Sequence, residues 1–300
     1  MPSFRSFAKI NLHLEVVGRR PDGYHELRTL FQTIDLADEI EIERAGAGVE
    51  LEVVGSDLTP GPGNLARRAA ESFLAHWGGR GDGVRIRLVK RIPAGGGLGG
   101  GSANAATVLL GLCSLWRVRP SYAELWAVAR ELGADVPFFL VGGRALGFGR
   151  GDEVVPLPDA PARSLDLWLA LPPFALSTPE IFAALGGDFR RAPAPLLLAA
   201  EVGENPARSE AWVGENDLEA AAFRLRPELE RIYTGLVRAG AAAVRMSGSG
   251  STLFALFDEP AAARSAGAGL PAGTGWLRTR LLGRADWRRA SGLDAPEGGG

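Results

Sequence analysis

Residues 91–112 read RIPAGGGLGGGSANAATVLLGL. Glycine holds positions 95–97 and 99–101, with Leu98 alone between the two triplets. Ahead of them, residues 84–89 (VRIRLV) alternate apolar and basic side chains, the pattern of a half-buried strand. Behind them, Ser102 and Asn104 stand before an Ala/Leu-rich run without proline, which predicts a capped helix. Strand, glycine loop and helix start aim backbone N–H groups and a positive dipole end at one point. An anion suits that point, and phosphate is the commonest one. Glycine reaches positive φ cheaply and has no Cβ to hold a phosphate away from the amides. A flexible linker would be polar and not bracketed by apolar elements.

Two other phosphate motifs fail on context. The Walker A pattern ends in Gly-Lys-[Ser/Thr], and this loop contains no lysine. Gly95, Gly97 and Gly100 satisfy GxGxxG, but a dinucleotide site needs a second strand ending in an acidic residue about 20 residues further on. That region holds Pro120-Ser-Tyr-Ala-Glu124, the start of another helix.

The rest of the chain sets bounds. Three hundred residues suit one large domain or two ordinary ones, and a chain of this size buries about 75% of its unfolded surface. A hydrophobic content of 46%, 23% charged residues and a net charge of −2 describe a soluble globular protein whose main partner is neither nucleic acid nor an anionic membrane. Cys113 is the single cysteine, so no internal disulfide forms. With no secretion signal at Met1-Pro-Ser-Phe-Arg5 and no long apolar run, a cytoplasmic location is expected. Only Lys9 and Lys90 are lysines among 33 basic residues. A compact ammonium and a flat guanidinium are not equivalent at tight sites, which singles these two out.

Residues 4–17 read as a strand that places Lys9 and Asn11 on one face. Such a pair is unusual in a core and ordinary in a phosphate-filled cleft. Pro21, Asp22 and Gly23 supply turn chemistry, and Tyr24 and His25 follow as either packing or ligand contacts. Residues 28–43 read as an extended segment, a turn at Asp35–Asp38, then a strand. Residues 48–54 form another strand, and Asn64 begins a helix reaching His76. Residues 121–132 read as a helix closed by Gly133. Asp135, just after it, reads first as a cap and second as a carboxylate at a cleft. A Pro-rich stretch at 156–161 marks a domain boundary. Strands are expected at 165–171, 244–257 (broken by a small-residue turn at Ser247–Ser251) and 276–282. Helices are expected from Thr178, from Asn216 and over 260–270. Residues 186–212 read as irregular and 284–300 as a frayed tail.

Placed together, these pieces resemble the GHMP small-molecule kinases. Pro93-Ala-Gly-Gly-Gly-Leu-Gly-Gly-Gly-Ser102-Ala matches their phosphate loop. Ala8-Lys-Ile-Asn-Leu12, Arg20-Pro-Asp-Gly-Tyr-His25, Leu30-Phe-Gln32, Gly133-Ala-Asp-Val-Pro137 and Thr178-Pro-Glu-Ile-Phe182 carry the likeness over residues 4–282, toward the branch whose acceptor is a cytidine diphosphate derivative of methylerythritol. The resemblance implies an α+β fold in two domains: 1–158, similar to the second domain of ribosomal protein S5, and 159–283, a ferredoxin-like sandwich. It implies ATP as co-substrate with Mg²⁺, a small-molecule alcohol as acceptor, and no obligatory protein partner. Lys9 and Asp135 would be the catalytic pair. Pro93, Ala94, Gly95, Gly96, Gly97, Leu98, Gly99, Gly100, Gly101, Ser102 and Ala103 would wrap the ATP phosphates, with Ser102 also at the metal. Asn64 and Lys90 would lie around the adenosine. Tyr24, His25 and Phe182 would enclose the cytosine, Asn11 and Thr178 would touch the polar tail, and Gly248 and Ser249 would help close the site.

Overall fold

The computed structural model describes residues 1–159, 166–187 and 213–293. The chain opens on two long antiparallel strands, β1 (Ser3–Arg19) and β2 (His25–Ala45). The turn expected at Asp35–Asp38 is absent, and β2 runs straight through it. The acids that suggested a turn are paired instead: Asp35 with Arg5 and Arg280, at 3.2 and 2.9 Å, and buried Asp38 with Lys90. The irregularity survives as a bulge, since Phe7 faces Ala37 while Lys9 already faces Thr33.

β3 (Gly48–Val54) and β4 (Gly83–Val89) are parallel, joined through helix α1 (Leu65–Trp77). With β5 (Arg144–Phe148) and β6 (Glu153–Pro156) they complete a six-stranded sheet in the order β3-β4-β2-β5-β6, β1 lying on β2. The alternation in β4 works as read. Val84, Ile86 and Leu88 are buried, while Arg85 and Arg87 reach outward to glutamates on β2 and β3. α1 buries Ala66, Ala69, Ala70 and Phe73, one helical stripe. They pack with α2 (Gly100–Trp116), α3 (Tyr122–Leu132) and α4 (Val136–Val141) in the first core.

The second half places β7 (Asp166–Leu171), α5 (Thr178–Leu185), α6 (Glu219–Leu225), α7 (Pro227–Arg238), β8 (Ala243–Met246), β9 (Leu253–Phe257), α8 (Pro260–Ala268) and β10 (Gly275–Thr279) around a four-stranded antiparallel sheet, β10-β7-β9-β8. That order is the expected ferredoxin-like arrangement. Most of the excursion read at 186–212, and the end of the Pro-rich boundary, lie outside the described residues.

A third core joins the halves. Ala8, Ile10, Leu12, Leu30 and Ile34 of the β1–β2 pair meet Leu167, Leu169, Phe254 and Leu256 of the second sheet, all buried. The alternate β1 positions, Lys9 and Asn11, therefore share the opposite face, as the two-residue period requires.

The expected frayed tail is corrected over 284–293. Arg284–Ser291 forms helix α9, and Trp287 and Leu293 enter the first core. Its charged sequence, RADWRRAS, hid a single anchoring ring. Trp287 lies against Gly142, where a Cβ would meet the indole at 2.3 Å. Trp287→Ala should therefore cost about 3–5 kcal/mol, read as a lowered urea-unfolding midpoint, as for other buried aromatic truncations.

Candidate active site

The glycine loop is built as the sequence suggests, with one change at its end. Gly95, Gly97 and Gly99 take φ of 67°, 75° and 69°, the left-handed region. Gly99 is the N-cap of α2, which begins at Gly100 with no side-chain cap. Ser102 and Asn104, expected ahead of the helix, lie inside it. Asn104 cannot cap because it is buried and donates to Ser6 Oγ and Asp38 Oδ2, at 3.0 and 2.8 Å. The first-turn amides keep no side-chain partner, which is the condition under which a helix start receives an anion.

Backbone from distant parts of the chain shapes this loop. Lys9 N–H donates to Leu98 O at 3.0 Å, and Thr252 N–H to Gly96 O at 3.2 Å. Ser247 Oγ donates to Gly97 O at 2.9 Å. The small-residue turn at Ser247–Ser251 thus links β8 to β9 and also braces the loop. It is held in turn by Asn216, whose amide donates to Met246 O and Gly248 O, both at 2.8 Å. Asn216 was read as a helix start. The helix itself begins at Glu219, and Asn216 serves its entry as well as the turn, since its Oδ1 accepts from Leu218 N–H at 3.0 Å.

At the loop stands the ion pair. Lys9 Nζ lies 3.3 Å from Asp135 Oδ2, with the lysine side chain 4% exposed and the aspartate 32%. Lys9 also donates to Asn11 Oδ1 at 2.6 Å. Asn11 donates to Thr29 Oγ1, and Thr29 to His13 O, each at 2.7 Å. This chain fixes the ammonium. Asp135 occupies the N-cap position of α4 but makes no cap hydrogen bond, so the cap reading gives way to the cleft reading.

A cleft of about 1120 Å³ contains both features. It is lined by Lys9, Asn11, Tyr24, His25, Lys90, residues 93–102, Asp135, Thr178, Phe182, Gly248 and Ser249. Two expected residues fall outside the lining. Ala103 is buried within α2, and Asn64 caps α1, its Oδ1 accepting from Ala66 N–H at 3.0 Å. Lys90 lines the cleft, but its ammonium is bound to Asp38. Thr178, expected as the helix cap, is the first residue of α5 after the cap Ser177, and shares a hydrogen bond of 2.7 Å with Ser249 Oγ.

His25 and Phe182 stack on each other with centroids 4.6 Å apart and planes at 21°. That spacing leaves no room for a base between them. Tyr24, 57% exposed, stands under the Arg150 guanidinium, 5.1 Å from the ring centroid. Burial, helped by the Arg19 charge, holds the His25 imidazole below its usual 6.5. Arg19, Thr29 and Arg150 line the cleft without having been singled out. In so arginine-rich a chain, no composition signal marked the two arginines.

Among the described residues no group of three His, Cys, Asp or Glu side chains could cage a metal. Ser102 and Asp135 nevertheless bring a hydroxyl and a carboxylate to the cleft, hard oxygen donors of the kind Mg²⁺ takes when it arrives on a nucleotide's phosphates. No described helix is long and apolar enough to cross a membrane.

The pattern described as "GHMP kinases N terminal domain" matches residues 64–143, and "GHMP kinases C terminal" matches 198–273. Fold and loop together define a GHMP kinase, a class that uses ATP as co-substrate. A protein of Pelotomaculum thermopropionicum named 4-diphosphocytidyl-2-C-methyl-D-erythritol kinase is 43% identical over 264 residues, 87% of this chain and 91% of its own. The protein of that name from Thermus thermophilus is 43% identical over 91% of this chain and 94% of its own. A crystal structure of 4-(cytidine 5'-diphospho)-2C-methyl-D-erythritol kinase superposes with a TM-score of 0.79 at 40% identity, covering 94% of this chain and all of that one. The chain belongs to the 4-diphosphocytidyl-2-C-methyl-D-erythritol kinase family.

A methyl group at Gly97 would sit 2.0 Å from Ser247 O on a backbone at φ +75°. Gly97→Ala should weaken binding of a non-hydrolysable ATP analogue by about tenfold or more, measured by calorimetry.

Proposed function

We propose that the chain transfers the γ-phosphoryl group of ATP to the 2-hydroxyl of 4-diphosphocytidyl-2-C-methyl-D-erythritol, a step of the non-mevalonate route to isoprenoid precursors. The observation that carries the mechanism is the Lys9–Asp135 pair, 3.3 Å apart, in the same cleft as the glycine loop. The acceptor oxygen attacks the γ-phosphorus, the bond from that phosphorus to the β–γ bridging oxygen breaks, and ADP leaves. Asp135 accepts the hydroxyl proton as the new O–P bond forms. Lys9 is fixed through Asn11 and Thr29, so its charge meets the transferred group without reorganising, the condition under which electrostatic stabilisation is largest. The backbone N–H groups of residues 94–101, which include the first turn of α2, bear phosphate charge, since phosphoryl transfer depends mostly on position and electrostatics. Ser102 and Asp135 are the residues that would hold Mg²⁺ arriving with the nucleotide, and the ion would further neutralise the phosphate charge.

Tyr24, His25 and Phe182 receive the cytosine. The His25–Phe182 stack directs the base against the pair rather than into it, leaving Tyr24 as the other aromatic face. The neutral imidazole offers a donor and an acceptor to the base's polar edge. Asn11, Thr178, Gly248 and Ser249, which line the cleft, take the rest of the acceptor, and Lys90, also in the lining, stands beside the adenosine.

Release of ADP, assayed across a panel of alcohols, tests the assignment. The cytidine diphosphate compound should be turned over, and homoserine and mevalonate should not. Asp135→Asn should lower kcat by about 10²- to 10⁴-fold, with affinity for the ATP analogue within about threefold of wild type. The depressed His25 pKa has a definite sign. The ring is neutral at pH 7 and gains a proton only as pH falls below its usual value, so acceptor affinity is flat above neutrality and declines on the acid side. At saturating ATP, the acceptor KM should rise as the pH falls below the ring's usual 6.5, and His25→Gln should remove that pH-dependent limb.

A further inference from the structure

Asp38 on β2 has no exposed surface and gathers four donors. Its Oδ1 accepts the backbone N–H groups of Arg91 and Ile92, at 2.6 and 2.8 Å. Its Oδ2 accepts Asn104 Nδ2 at 2.8 Å and the Lys90 ammonium, which also reaches Asn104 Oδ1 at 3.2 Å. Residues 90–92 are the last before the glycine loop, and Asn104 stands on the first turns of the helix that follows it. One carboxylate therefore fastens both ends of the loop.

We propose that Asp38 is a positioning residue for nucleotide phosphate, holding the ends of residues 93–99 at the separation at which their amides converge. This rests on reading the loop as the ATP phosphate site. A run of glycines has more backbone freedom to lose than any other sequence, so its shape depends on how firmly its ends are fixed. The four donors require an acceptor-only group. An ionised carboxylate has two oxygens and no hydrogen, whereas an amide would turn N–H groups toward Lys90 and Asn104. Lys90 matches the buried charge, which would be costly alone. Lys90 thereby serves the loop's frame as well as the wall of the cleft.

The test compares affinities for a non-hydrolysable ATP analogue and for adenosine, which lacks phosphates, in the full-length protein. Wild type should bind the analogue much more tightly than adenosine, and equal affinities would refute the phosphate-loop reading itself. In Asp38→Asn the analogue should weaken by about tenfold or more while adenosine stays within about twofold. Asp38→Asn/Lys90→Gln, in which the glutamine carbonyl can accept from the new amide, should recover at least about threefold of that loss. Equal weakening of both ligands, no weakening of either, or no recovery in the double variant would overturn the proposal. If Asp38→Asn does not fold, Asn104→Ala, which releases the helix end alone, must still reduce the analogue-to-adenosine ratio by about threefold. An unchanged ratio there would overturn it equally.

Discussion

A loop of glycines has no side chains with which to hold its own shape. Here the side chain of Leu98 is buried in the core that joins the halves, and the other ties come from elsewhere: from the β1 backbone at Lys9, from Ser247 and Thr252 around the second half's hairpin turn, and from Asp38 at its two ends. These ties reach the loop from both halves of the molecule, so the cleft exists only while the halves are docked. The apolar seam does that docking. β1 and β2 bury side chains on both faces, one against the helices of the first half and the other against the second sheet. A strand pair covered on both sides cannot slip by one residue without exchanging Lys9 and Asn11 for Ile10. The register that builds the core therefore also aims the ammonium.

The two lysines of an otherwise arginine-based chain share a physical situation. Each is almost wholly buried, each faces an aspartate, and each also touches an asparagine oxygen: Lys9 with Asp135 and Asn11, Lys90 with Asp38 and Asn104. An ammonium fits such a pocket as a point charge, where a guanidinium would need a wider, planar one. The pairs differ in solvent access. Asp38 is sealed and fully occupied by donors, whereas Asp135 keeps one side open to the cleft. A saturated carboxylate holds a frame in place, and an open one remains able to accept a proton.

Much of this was readable in the sequence because the signals were local. The alternation in β4, the helix start at Pro120–Glu124 and the glycine triplets each state their conformation within a few residues. The pairing of Lys9 with Asp135 was not local and followed from resemblance. The misreadings share a cause. The sequence presents Asp38 as a turn former and Asn104 as a cap, because those are the habits of short polar side chains near chain reversals. Both are instead buried and committed to partners more than 50 residues away, and Asn216 adds a bond to Met246 to its local one at the helix start; no window of sequence contains those partners. Asn64 shows the converse: a residue assigned to ligand by resemblance satisfies an ordinary cap.

The chain leaves the first half and returns to it at neighbouring residues. Asp159, the last described residue before the second half, accepts a hydrogen bond from Arg284 N–H at 2.8 Å, and Arg284 begins the helix that returns to the first core. The second half thus departs and comes back through one gateway. Geometrically it is a cassette set into a host rather than a bead following another on a string. A body with adjoining ends can be spliced into another scaffold without stretching either junction.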